Sequence, residues 1–244
     1  MKLEEIESKI YQWQGKQIQG RGVAEAEAHH KKSRVWSADR LTAFLPKDKS
    51  AKIIDVPCGD GTILYFLKES GYTNVTGWDI AEGRVAIAQQ MGLNAKITDA
   101  FEALPKEKDC SIIFSIDFLE HIDKTAAVEF LQTCNDALID GGLLIVRTPV
   151  TDSFLGSLHL YNDFTHRWAT NSGVWRAIAG ATGFQLKICF DERPIPSNLK
   201  RTVARILFEC ARFPLTLLYR MLGQGVPRVW SPSVWFILEK NQSA

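Results

Sequence analysis

The chain is poor in several features whose abundance would have fixed its class at once. Charge of one sign is missing: 29 lysines and arginines stand against 28 acids, a formal net charge of +1 over 244 residues. A near-neutral chain lays no long-range field for a polyanion, which counts against a nucleic-acid partner. Cysteine is sparse and odd in number: Cys58, Cys110, Cys134, Cys189 and Cys210, with no C-x-x-C pair. This argues against a disulfide framework and a structural zinc site and points to a reducing cytoplasm. No apolar run approaches the roughly 18 residues that cross a bilayer. The charged opening MKLEEIESKIYQWQGK also lacks the apolar core of a signal peptide. The expectation is a cytoplasmic protein, at most peripheral to the inner face of a membrane.

What is present is a rhythm. Residues 1–48 read as a polar N-terminal helical extension with a weak apolar stripe (Ile6, Ile10, Trp13, Ile18) and a joint near Gly20–Gly22. His29 and His30, in a basic cluster, read there as solvated. From Lys52 onward, within a main domain of residues 49–244, short β-branched runs alternate with helical stretches. KIIDV, NVTGWD, NAKITD, CSIIFSI and GGLLIVRT are separated by helices, and two more strands, FQLKICFDE and SVWFILEK, follow. Such βαβ alternation predicts a three-layer α/β sandwich around a mostly parallel sheet.

The segment IIDVPCGDGTIL carries the most chemical information. A strand ends in Asp55, turns through Gly59 and Gly61 and enters a helix, and the glycines let the backbone approach a ligand closely. Asp79 closes the next strand 24 residues later, where Rossmann-like sites place the carboxylate that accepts from ribose hydroxyls. Asp99 closes the third strand, followed by Ala100 and Phe101, suited to the edge and face of an adenine. A diphosphate prefers a site free of flanking carboxylates, and the position three after Gly61 is Leu64, so a nicotinamide cofactor fits poorly.

These motifs resemble those of the class I (Rossmann-like) S-adenosylmethionine-dependent methyltransferases. IIDVPCGDG is similar to their motif I, with Pro57 where the first glycine is usual; Asp79, Asp99 and FSIDFLEHID match later motifs in order. The resemblance implies a seven-stranded sheet with an antiparallel last strand. It also implies S-adenosylmethionine held by Asp55, Pro57, Gly59, Gly61, Asp79, Ile80, Asp99, Ala100 and Ser115.

For the chemistry, methyl transfer needs mainly alignment of the nucleophile, but an alcohol must also lose a proton to a base or a metal ion. Asp117, Glu120 and His121 at positions i, i+3 and i+4 share a face if that segment is helical, and His166 follows downstream. The set resembles the ligands of small-RNA 2′-O-methyltransferases and ubiquinone-pathway O-methyltransferases, which use magnesium-like ions. The expected roles are His121, His166 and Asp117 in catalysis, with Asp117, Glu120, His121 and His166 as a candidate divalent-cation site. The loop from Thr151 to Trp168, with Tyr161 and Trp168 offering flat faces, loosely resembles methyltransferases of bacterial polysaccharide assembly. That resemblance implies a saccharide hydroxyl as acceptor, ahead of another small molecule or an RNA end, or of a non-catalytic cofactor-binding subunit.

Residues 193–232 form a basic amphipathic insertion before the last strand. Lys200, Arg201, Arg205, Arg212, Arg220 and Arg228 face a lone Glu209, and Leu199, Val203, Ile206, Leu207 and Cys210 share one helical face. Two readings are open. A lid would bury the apolar stripe on the domain and turn its arginines to solvent, whereas a peripheral helix over residues 197–230 would rest on an anionic membrane.

Overall fold

The computed structural model describes residues 5–6, 9–10, 22–152, 154–223, 225–227 and 229–242. Trp13, Ile18, Gly20 and Arg228 therefore lie outside the described residues. Among those described, seven strands make one sheet: β1 (Ile53–Asp55), β2 (Val75–Asp79), β3 (Ala95–Ile97), β4 (Cys110–Ile116), β5 (Leu138–Pro149), β6 (Phe184–Asp191) and β7 (Ser233–Lys240). The order is β3-β2-β1-β4-β5-β7-β6. β1 through β5 pair in parallel, whereas β7 runs antiparallel to both β5 and β6. The expected Rossmann-like sandwich with an antiparallel last strand is what the chain forms.

Strand β1 explains why its sequence is an unbroken apolar run. A parallel strand with helices on both faces has no solvent side. Ile53 packs with Phe66, Leu67, Ile112 and Phe114 on one face, and Ile54 with Leu104, Ile113 and Phe130 on the other. Helices α1 (Val23–Leu41), α2 (Thr62–Glu69) and α3 (Glu82–Gln90) precede the short α4 (Ala100–Ala103) and then α5 (Lys124–Ala137). After β5 come α6 (Phe154–Tyr161), α7 (Ser172–Ala181) and α8 (Leu199–Met221). Side-chain caps mark the starts that sequence can signal: Asp123 accepts from Ala126 N, Asn171 from Val174 N and Asn198 from Arg201 N.

The apolar stripe of the insertion is not packed on the domain. Helix α8 has no buried residue, and Leu199, Val203, Ile206, Leu207 and Phe213 are exposed. Its arginines Arg201, Arg205 and Arg212 are the half-buried ones. Phe208, Leu215 and Tyr219 are half-buried beside them.

Candidate cofactor and acceptor site

The ends of β1, β2 and β4, together with α1, enclose a cavity of about 500 Å³. Its floor is Asp55 and the turn through Pro57, Cys58, Gly59 and Asp60. Gly59 and Gly61 have φ of +54° and +94°, which side chains disfavour. At Gly61 a Cβ would also stand 2.5 Å from Leu93 Cδ1, so glycine lets α2 start hard against the neighbouring α3–β3 connection.

Asp79 fastens that turn. Its Oδ2 accepts from Gly59 N and its Oδ1 from Ala81 N, both at 2.8 Å. Asp55 is in the opposite condition: it is 1% exposed and its Oδ1 has no hydrogen-bond partner. Burial, and then the nearby Asp79 charge, hold its pKa well above the usual carboxylate range. An orphaned carboxylate facing a cavity is electrically incomplete until a cation or donor arrives. S-adenosylmethionine, with a sulfonium and an ammonium group, fits that deficit where a diphosphate would be repelled.

The roof is His29, Ser33, Trp36 and Ser37 of α1. His30, expected in solvent, is fully buried: its Nε2 lies 3.0 Å from the Asp60 carbonyl and its Nδ1 3.2 Å from Thr62 Oγ1. A carbonyl only accepts, so Nε2 carries a proton and donates it to Asp60. The polar-looking N-terminal helix is thereby docked onto the glycine turn. Trp36 adds a second anchor, tilted against Trp235 and lying under the Arg40 guanidinium, 4.5 Å from the ring centre. Arg40 in turn donates to the Glu192 and Arg193 carbonyls at 3.3 and 3.1 Å.

The far wall is Ile116, Asp117, Arg147 and Trp235. Arg147 ion-pairs with Asp117 and donates from Nε to Glu192 Oε1 at 2.6 Å. Of the expected cofactor residues, Asp55, Pro57, Gly59 and Asp79 line the cavity, whereas Gly61, Ile80, Asp99, Ala100 and Ser115 do not. Ile80 stands exposed beside Asp79, and Ser115 is buried with its Oγ unpartnered. Asp99 caps α4 by accepting from Phe101 N at 2.7 Å, over buried Ala100. Phe101, half-buried, packs with Phe118 and Phe130. Sequence reasoning missed the α1 residues, Arg84, Arg147 and Trp235. A signal existed for Arg147, the lone charge in the buried run LLIVRT.

A second cluster stands behind that wall. Ligand atoms of Glu120, His121 and His166 lie within 4.8 Å of one another. Asp117 does not join them, contrary to the expected four-residue set. The helical turn covers only Leu119–His121, and Asp117 precedes it with φ +49°, turned toward Arg147. Arg147 and Thr148 are neighbours on β5 and so point to opposite faces. One meets Asp117 in the cavity wall, and the other donates to Glu120 Oε2 at 3.0 Å.

The imidazole tautomers follow from their partners. Thr165 Oγ1 donates its one proton to Asp163 at 2.7 Å, so it accepts from His121 Nδ1 at 2.8 Å. His166 Nδ1 lies 2.7 Å from the Leu160 carbonyl and must donate. In the neutral form of either ring the basic lone pair is therefore on Nε2. Burial and the adjacent His166 lower the His121 pKa to about 4, so it is neutral at pH 7. Glu120 is 2% exposed with Oε1 unpartnered, and burial, then Asp117, raise its pKa to about 8. Two imidazoles whose Nδ1 atoms are both committed and a carboxyl short of a partner suit either proton acceptance or coordination of a divalent cation.

A family model described as "Methyltransferase domain" matches residues 28–187. The chain belongs to this family. The methyltransferase is S-adenosylmethionine-dependent, and the match runs from Ala28 within α1 to Lys187 within β6. It is similar to a crystal structure of a SAM-dependent methyltransferase from Archaeoglobus fulgidus, 24% identical, with a TM-score of 0.64 over 85% of this chain and 94% of that one. The magnesium protoporphyrin IX methyltransferase of Synechocystis, solved with bound SAM, shares the fold at 14% identity and a TM-score of 0.51, over 88% and 80% of the two chains. A curated relative, the tRNA U34 carboxymethyltransferase of Idiomarina loihiensis, is 28% identical over 57% of this chain and 45% of its own length. The methyltransferase thus spans less than half the length of such relatives.

Proposed function

We propose that this methyltransferase transfers a methyl group to a hydroxyl oxygen of a saccharide. The observation that carries the reading is the Glu120–His121–His166 cluster, whose imidazoles are fixed with Nε2 basic. Alcohols need a base or a metal ion to act as nucleophiles at neutral pH. S-adenosylmethionine supplies the electrophilic methyl group when bound.

In this reading Asp55 and Asp79 hold the cationic cofactor over the glycine turn through Pro57 and Gly59. Asp117 serves by holding Arg147 in the cavity wall. His166 and His121 take the acceptor's proton, or with Glu120 hold a divalent cation such as magnesium that lowers the hydroxyl pKa. Tyr161 and Phe164, exposed on the same segment as His166, offer faces for a sugar ring.

A second reading, an RNA acceptor, is favoured by the relatives named tRNA U34 carboxymethyltransferases. The test is transfer of radiolabelled methyl to a panel of saccharides and to tRNA, before and after chelation and with magnesium restored. Labelled saccharide is the expected result, and labelled tRNA alone would replace the first reading with the second. Loss of transfer on chelation assigns the cluster to a metal, and persistence assigns it to the imidazoles.

A further inference from the structure

Helix α8 presents an apolar stripe to solvent. At 3.6 residues per turn, Leu199, Val203, Ile206, Phe213, Leu217 and Met221 fall along one side of it. All six point away from the domain and are between 46% and 81% exposed. The opposite side, half-buried, mixes Phe208, Leu215 and Tyr219 with Arg201, Arg205, Glu209 and Arg212. Arg201 pairs with Asp39 of α1 at 2.8 Å, and Arg205 and Arg212 pair with Glu209 at 2.9 and 2.6 Å. Tyr219 meets the buried Trp230 edge-on, ring centres 5.9 Å apart. With three of its arginines anchored, the helix leaves a continuous apolar stripe in water, which a soluble domain ordinarily buries.

We infer that the outward face of α8 is a docking surface for an anionic lipid bilayer, on which the helix lies in the interfacial plane. The charge pattern selects this occupant. Lys200 and Arg220 are exposed at the two margins of the apolar stripe, where long cationic side chains reach headgroups while the stripe enters the acyl boundary. The only carboxylate of α8, Glu209, is turned inward among Arg193, Arg205 and Arg212. The outer rim therefore carries positive charge alone, and a second copy would bring an identical rim with nothing to neutralise it. No described helix is long and apolar enough to cross a membrane, which fits a helix that rests on the surface. The inference rests on α8 alone and stands whichever acceptor the methyltransferase uses.

The full-length protein tests it by co-sedimentation with vesicles of phosphatidylcholine, with and without phosphatidylglycerol, at low and high salt. Binding to the anionic vesicles only, weakened by salt, is expected. Ile206→Glu with Leu217→Glu should lower the partition coefficient at least ~10-fold while leaving S-adenosylhomocysteine binding intact. Lys200→Gln and Arg220→Gln should each cost about fivefold. An environment-sensitive dye on exposed Cys210 should brighten with anionic vesicles. Absence of binding would overturn the inference, as would binding indifferent to all four substitutions. A wild-type dimer in analytical ultracentrifugation that Ile206→Glu with Leu217→Glu renders monomeric, without vesicle binding, would reassign the face to a second copy.

Discussion

Trp36 of α1 lies against Trp235 of β7, ring centres 5.4 Å apart and planes inclined at 52°. The helix that roofs the cofactor cavity is thereby latched to the sheet beneath it. Trp36→Ala removes this pair and the perch of Arg40, at a cost of about 1–3 kcal/mol of stability. We expect S-adenosylhomocysteine to dissociate faster from the variant in stopped-flow fluorescence. An unchanged dissociation rate would deny α1 its role as a roof.

Asp79→Ala deprives the Gly59 and Ala81 amides of a charged acceptor, each such bond being worth about 1.5–3 kcal/mol. Calorimetric titration with S-adenosylhomocysteine should show ~100-fold weaker binding. Asp99→Ala, which removes a cap on a four-residue helix, should cost far less. Equal losses would shift the weight of the site from the glycine turn to the third strand.

Asp55 links binding to pH. Its folded pKa is raised by burial, so the folded state keeps a proton that the unfolded state gives up near pH 4. Its favourable contribution is full below that value and is lost as pH rises toward the folded pKa. At pH 7 Asp55→Asn should therefore raise the melting temperature, by about 2–4 °C for each kcal/mol relieved, and weaken cofactor binding. The gain should vanish near pH 4. A variant less stable at pH 7 than the parent would mean the carboxylate is already satisfied.

His166→Ala should cut turnover by about 10²–10⁴-fold and leave S-adenosylhomocysteine affinity unchanged. Glu120→Gln, which keeps the size and the bond to Thr148, separates two roles. Turnover lost together with magnesium dependence marks a ligand, and turnover retained marks a bystander to an imidazole base.

The fold was legible because parallel strands flanked by helices must be apolar on both faces, and KIIDV and CSIIFSI advertise this. The glycine turn and Asp79 were legible because a ligand's close approach demands them. The roof was not. His30 looks like part of a solvated basic run, and only its 30-residue reach to Asp60 and Thr62 reveals it as buried. Asp117 misled for a local reason: i, i+3, i+4 spacing places groups together only where the backbone is helical, and the turn begins after it. The amphipathic stripe of α8 was visible in the sequence. Which side faced the protein was not, because Asp39 and Trp230, which fix the orientation, lie far away along the chain.

The place of β7 has a consequence for how the molecule comes into being. The strand latest in the chain sits between β5 and β6, not at a border of the sheet. Until residues 233–240 are available, a nascent chain holds a five-stranded sheet ending in β5 and a lone β6, whose edges offer unpaired amides and carbonyls to any passing strand. Folding is therefore closed by insertion, and the interval before that last strand arrives is when the polypeptide is most open to mispairing.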